Sequence, residues 1–189
     1  YDRREAGVSG GRVERLSWSL YADQARQLLD HLGIRRAFVM GGCMGCSVAT
    51  AFAARHPEAT HGLVLHWPVG GYRWKLNGAD RFARHARFAR EHGLAGVVKR
   101  AHAGRSFWAD PEAGPWASVI VSDPAFADRF AAMDLDRYVG LVAASGRALF
   151  DRDMPPGAEP EELMAMRVPA LIVAGDDPAH PTSGAHYLR

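Results

Sequence analysis

Residues 38–52 read FVMGGCMGCSVATAF, a stretch that sets two thiols, Cys43 and Cys46, among glycines and small residues. Three chemistries fit those residue types. Cys43 can be a nucleophile held on a sharp turn, Cys43 and Cys46 can form a Cys-x-x-C redox pair, or both can be small packing residues. Gly41-Gly42-Cys43-Met44-Gly45 has the form G-x-C-x-G, the thiol version of the strand-to-helix nucleophile elbow, which needs small residues two before and two after the reactive one. A thiolate there gains from the positive end of the following helix, and the backbone N–H of Met44 is placed to donate to an oxyanion. The glycines are demanded by an elbow and not by a dithiol, and the segment upstream fits poorly with a compact thioredoxin-like domain.

The elements that would position these thiols are readable from periodicity. Apolar residues at Leu16, Leu20, Tyr21, Ala25, Leu28, Leu29 and Leu32 predict an amphipathic helix ended by Gly33. Residues 37–40 form a short buried strand, and residues 44–55 an alanine-rich helix stopped at Pro57. Residues 62–67 (GLVLHW) and 169–174 (PALIVA) are two further apolar runs bounded by Gly or Pro. Continuous apolar strands separated by helices predict an α/β fold with a parallel sheet covered on both faces. Between the last two strands, about a hundred residues lack a convincing strand beyond SVIV at 118–121. They predict an inserted helical cap with helices over 79–92, 94–102, 124–133, 135–150 and 160–166. The domain reading is therefore core over 1–68, cap over 69–166 and core again over 167–189.

Composition removes several functions. The chain has 189 residues, 48% hydrophobic, with a formal charge of +2, too small and dispersed for a nucleic-acid partner. No apolar run is long enough to cross a bilayer, and the N-terminal residues resemble neither a signal nor a transit peptide, so no membrane partner is expected and the cytoplasm is the expected location. Two cysteines make no disulfide framework or zinc site, and no histidine cluster has metal-ligand spacing, so neither metal nor cofactor is expected. His31 and His56 sit at helix ends, and His85, His92 and His102 in basic cap helices. His66 and Trp67 lie at the carboxyl end of a parallel strand, where ligands bind, so Trp67 is a candidate pocket wall. Trp74 and Trp108, with Tyr72 and Phe107, are candidate cap residues over that pocket, where an arginine could meet a carboxylate substrate.

These stretches together resemble the α/β-hydrolase superfamily. YDRREAGVSGG is similar to the D-x-R-G-x-G-x-S segment after the family's fourth strand, through Asp2, Arg3 or Arg4, Gly7 and Ser9, with Glu5 where a glycine is usual. HLGIRRAFVMGGCMGCSVATAFAARHPEATHGLVLHWP resembles the run from the helix before the elbow through the sixth strand, and VPALIVAGDDPAHP the seventh strand with its acid loop. The resemblance covers about half of the chain. It implies that Cys43 stands at the nucleophile position, Ser in most members and Cys in a minority such as dienelactone hydrolases, and that Met44 supplies one oxyanion N–H. It places the acid in Gly175-Asp176-Asp177-Pro178, at Asp177 with Asp176 as the alternative. The second oxyanion donor, in an HG motif, would lie before Tyr1, and the usual catalytic His after an eighth strand, beyond Arg189. The first residue is not Met, and Tyr1-Asp2 reads as the end of a strand, so the sequence is expected to be a fragment. His180, three residues after Asp177, is a candidate substitute base. The implied activity is cleavage of an ester, thioester or lactone-type acyl bond on a small molecule through a Cys acyl-enzyme, or acyl transfer where an alcohol or thiol takes the acyl group in place of water. A pocket that binds without catalysis is the alternative, and thiol-disulfide exchange a further one.

Overall fold

The computed structural model describes residues 1–104 and 106–189. Its contacts divide the chain into two units, one of residues 1–16 with 78–147 and the other of residues 17–77 with 148–189. The opening segment thus groups with the helical unit, whereas the sequence placed it with the sheet.

The sheet unit holds three parallel strands in the order β1, β2, β3: β1 is Ala37–Gly42, β2 Thr60–His66 and β3 Ala170–Val173. Helix α1 (Trp18–His31) starts at Ser17, whose hydroxyl accepts from the Leu20 N–H at 3.1 Å and so satisfies one free donor of the first turn. Helix α2 (Met44–Arg55) matches the alanine-rich run residue for residue. Its Cys46, Ala49 and Ala53 pack on Leu63 and Leu65 of β2, with Val39 and Ile172 joining from the neighbouring strands. Small residues on α2 let helix and sheet approach closely. The opposite face differs from expectation. Met40, Val64 and Leu171 are register partners, and Phe38, Met40 and Leu171 are 76%, 70% and 61% exposed. Helices cover one face of the sheet, and the other is an open apolar stripe among the described residues.

Helix α3 runs Gly71–Ala101 and breaks at Gly93, whose φ of +68° a glycine adopts without steric cost. The two predicted helices are thus present, the first beginning eight residues earlier than expected. The helical unit continues through α4 (Ala117–Ser122), α5 (Pro124–Ala131) and α6 (Leu135–Leu149). Residues 118–121 are helical, not strand: Ala117, Val119 and Ile120 are buried together on one side of α4, and that packing overrides the β-propensity of SVIV. Asp123 caps α5 by accepting from Phe126 N–H, and Pro124 stands at its first position. Helices α7 (Pro160–Ala165) and α8 (Thr182–Tyr187) complete the sheet unit. Tyr1 and Asp2 are irregular rather than strand. Gly7 has a φ of +58° and leaves the space taken by the Asp2 carboxyl group, Ser9 donates to the Asp2 carbonyl, and Glu5 is buried beside Arg3.

The helical unit contains one titratable group that periodicity assigned to an ordinary basic helix. His85 is fully buried, with Nδ1 3.2 Å from the Glu112 carbonyl and Nε2 2.6 Å from the Tyr138 hydroxyl. A carbonyl only accepts, so Nδ1 carries the proton and Tyr138 donates to Nε2. Burial pushes the His85 pKa down to about 4. The unfolded chain takes up a proton near the ordinary value of about 6.5, so stability is full above that pH and falls as pH drops toward 4, by about 3 kcal/mol in total. Thermal unfolding followed across this range should show that slope, and His85→Gln should flatten it; an unchanged slope would mean that other groups set the acid sensitivity.

Candidate active site

All three strands end at the same edge of the sheet, because Gly42 is register partner to His66 and His66 to Val173. Residues just past these ends emerge side by side, at the place where parallel α/β sheets bind ligands. They are Cys43, Trp67 and the loop that contains Asp177 and His180.

Cys43 lies between β1 and α2 with φ 55° and ψ −124°, one of two non-glycine residues with positive φ among those described. For an L-residue this conformation costs on the order of 1–3 kcal/mol, which the surrounding structure must supply. Two backbone features do so. The Cys43 N–H donates to the His66 carbonyl at 3.0 Å, and Gly41 lets β1 meet α2 so closely that a Cβ there would sit 2.1 Å from the Gly45 carbonyl oxygen. Only one of the flanking glycines is sterically required, since a Cβ on Gly45 would meet nothing within 4 Å. Gly41→Ala should therefore cost about 3 kcal/mol or more, because the obstructing atoms are backbone and cannot turn away. Gly45→Ala should be nearly neutral. Paired unfolding curves check this, and equal losses in the two variants would discard it.

The electrostatics of Cys43 correct one expectation. Partial burial pushes the thiol above its ordinary value; the Met44 backbone N–H pulls it back, and the charge of Asp177 adds to the rise. The helix N-terminus, through the Met44 N–H, contributes in the expected direction, but desolvation outweighs it and favours the thiol over the thiolate. Attack by this sulfur needs a base. Cys46 is a different group. It is buried, its thiol lies 3.1 Å from the Gly41 carbonyl and 3.3 Å from that of His66, and burial together with the nearby Cys43 pushes its pKa up to about 12. Both cysteines are free thiols. A thiol that holds its proton so tightly is a poor partner for disulfide exchange.

Asp177 carries the hydrogen bonds of the loop that follows β3. Its Oδ1 accepts from the backbone N–H of Ala179 at 2.7 Å and of His180 at 2.9 Å, and His180 Nδ1 lies 2.8 Å from Oδ2 and 3.0 Å from Oδ1. These bonds, that of the His180 ring first, hold its carboxyl below the usual carboxylate range. Asp176 is exposed and makes no hydrogen bond or ion pair among the described residues. His180 Nε2 is buried without a partner, and no hydrogen bond joins it to Cys43.

The predicted pocket residues part company. Trp67, 39% exposed, remains at the strand ends beside His180. Trp74 is buried and packs on Phe150 at 5.1 Å between ring centroids, which makes it a core residue. Trp108 belongs to the helical unit, where the Arg81 guanidinium lies 5.0 Å from its ring and donates to the Phe107 and Trp108 carbonyls. Arg81 is thereby engaged within its own unit. A cavity of about 470 Å³ lined by Leu63, Leu65, Met166 and Ile172 touches none of Cys43, Trp67, Asp177 or His180. Among the described residues no group of three or more His, Cys, Asp or Glu is arranged to hold a metal ion, and no helix is long and apolar enough to cross a membrane. Sequence reasoning missed the left-handed φ of Trp67 and the His66 carbonyl that ties both cysteines to β2, because neither has a side-chain signature.

The strand–turn–helix at Cys43 and the parallel strands that end at one edge are features of a defined class. Residues 1–181 match the α/β hydrolase fold family model, and the chain belongs to that family. It is 39% identical over 79 residues to the proline iminopeptidase of Xylella fastidiosa, a match covering 40% of this chain and 25% of that protein. Over 42 residues it is 52% identical to the homoserine O-acetyltransferase of Thermus thermophilus, covering 22% of this chain and 11% of that one. The crystal structure of a hydrolase from Pseudomonas aeruginosa superposes with a TM-score of 0.60 at 21% identity, over 100% of this chain and 65% of that one. The chain thus spans a quarter or less of these curated relatives and about two thirds of the structural neighbour.

Proposed function

We propose that this chain carries the nucleophile and the acid of an acyl hydrolase. Cys43 Sγ attacks the acyl carbon of an ester, thioester or lactone, and the Met44 N–H donates to the developing oxyanion. The thiol proton passes to an imidazole oriented by Asp177 and then to the leaving alcohol or thiol. Water then adds to the thioester of the acyl-enzyme and releases the acid and the free thiol. The observation that carries this reading is the strained Cys43 backbone at the end of β1, held by Gly41 and the His66 carbonyl. A side chain kept there at a cost in stability, among residues of other strand ends, is placed for chemistry more than for packing.

The short likeness to an acetyltransferase supports a variant in which an alcohol takes the acyl group from Cys43 in place of water. Intact-mass measurement with an activated ester tests the common step. An acyl adduct on Cys43 that decays as free acid appears supports hydrolysis, whereas decay only on adding an alcohol supports transfer. An adduct that never forms leaves a binding protein on a hydrolase fold.

A further inference from the structure

Trp67 follows directly on β2 and is the second non-glycine residue with a positive φ, at 58°. A tryptophan serving only to pack would be buried on an ordinary backbone; this one is partly exposed and held in the left-handed region. Its backbone N–H donates to the Val173 carbonyl at 2.8 Å, which fixes it to the end of β3. Its indole lies parallel to the His66 ring, 5.4 Å away at 7°, and contacts the His180 ring at 5.7 Å. Gly175 makes that contact possible, because a Cβ there would fall 2.6 Å from His180 Cβ and 3.4 Å from Trp67 Cγ. The loop then closes through the Thr182 hydroxyl, which donates to the Gly175 carbonyl at 2.9 Å.

A continuous line of contacts therefore leads from the sheet to the carboxylate: β2 and β3 hold Trp67, Trp67 seats the His180 ring, and His180 Nδ1 spans both oxygens of Asp177. We infer that Trp67 is a positioning residue which, by seating His180, fixes the carboxylate of Asp177. This rests on the reading of Asp177 as the acid. The Asp177 side chain is 40% exposed on a loop, so without the imidazole its carboxylate could turn toward water. A carboxylate accepts Nδ1–H, which leaves Nε2 unprotonated in the neutral ring. That nitrogen is buried without a hydrogen-bond partner and is not bonded to Cys43, so the contact this geometry builds is the one from His180 Nδ1 to Asp177.

The test is a carboxyl NMR titration of Asp177 in the wild type, His180→Ala, Trp67→Gly and Trp67→Phe, with ester turnover measured on the same samples. His180→Ala should raise the Asp177 midpoint toward the ordinary aspartate value of about 3.9. Trp67→Gly, whose backbone favours the same φ and so keeps the fold, should raise it as well, though by less. Trp67→Phe keeps a ring against His180 and should stay near the wild type. Turnover should fall about 10- to 100-fold in the first two variants with KM nearly unchanged, the size of loss usual for residues that orient a functional group from behind. A wild-type Asp177 midpoint in Trp67→Gly would overturn the inference. Midpoints that shift as expected while kcat stays constant would leave the positioning intact and remove Asp177 from the proposed mechanism.

Discussion

Cys43→Ala is expected to abolish the acyl adduct and lower ester turnover by about 10⁴- to 10⁶-fold, the scale on which removing a nucleophile acts when the rest of a site survives. The substitution should fold normally. Alanine removes only the sulfur, and the N–H to the His66 carbonyl and the close approach at Gly41 are backbone features that remain. The residual rate then measures what oxyanion donation and binding supply without covalent chemistry. Cys43→Ser is the informative companion, since it keeps an attacking atom on the same strained turn. Its oxygen also requires a base, as the sulfur does with its raised pKa, so it should retain adduct formation where alanine has none. Unchanged turnover in Cys43→Ala would end the covalent reading. Lost turnover at an unchanged melting temperature supports the nucleophile, and lost turnover with a lowered one assigns the loss to folding, so both quantities belong in the same experiment.

Much of the scaffold is legible because it follows from local chemistry. The helix over residues 44–55 is written in its alanines and in Pro57, and the β1 strand in its apolar run before two glycines. Gly41 is legible as an elbow glycine because the reason for it is steric and local. What was hidden depends on partners distant in sequence. SVIV at 118–121 has strand propensity, yet it folds as a helix because Val119 and Ile120 are drawn into a helical core. His85 reads as one histidine on a basic helix; only Tyr138 and the Glu112 carbonyl make it a buried neutral group. The open face of the sheet has the same origin, since apolar residues at 38, 40 and 171 state a preference for burial without stating what covers them. At the site, the resemblance prefers Asp177 to Asp176, but the bonds Asp177 accepts from the Ala179 and His180 N–H groups and from the His180 ring are not legible in it. The sign of the Cys43 shift was not legible, because helix dipole and desolvation oppose each other and only geometry weighs them.

Asp177→Asn is expected to move two measurements in opposite directions. Three influences act on the Cys43 thiol: burial raises its pKa most, the Met44 N–H lowers it, and the Asp177 charge raises it further. Removing the charge while keeping the shape should lower that pKa, so that Cys43 is alkylated faster at a fixed pH than in the wild type. Turnover should nevertheless fall by about 10⁴-fold, because an amide neither stabilises an imidazolium nor enforces the tautomer that accepts the thiol proton. A carboxylate that makes the resting thiol less reactive is worth keeping only if its charge is needed later, when the proton has left sulfur and positive charge has formed on the base. The pairing of faster alkylation with slower turnover separates that role from a structural one, since a disordered loop would change both without a fixed relation. Faster alkylation with intact turnover would mean that Asp177 senses Cys43 without serving it, and Asp176 would become the residue to replace next. Unchanged alkylation would show that the Asp177 charge does not reach the sulfur.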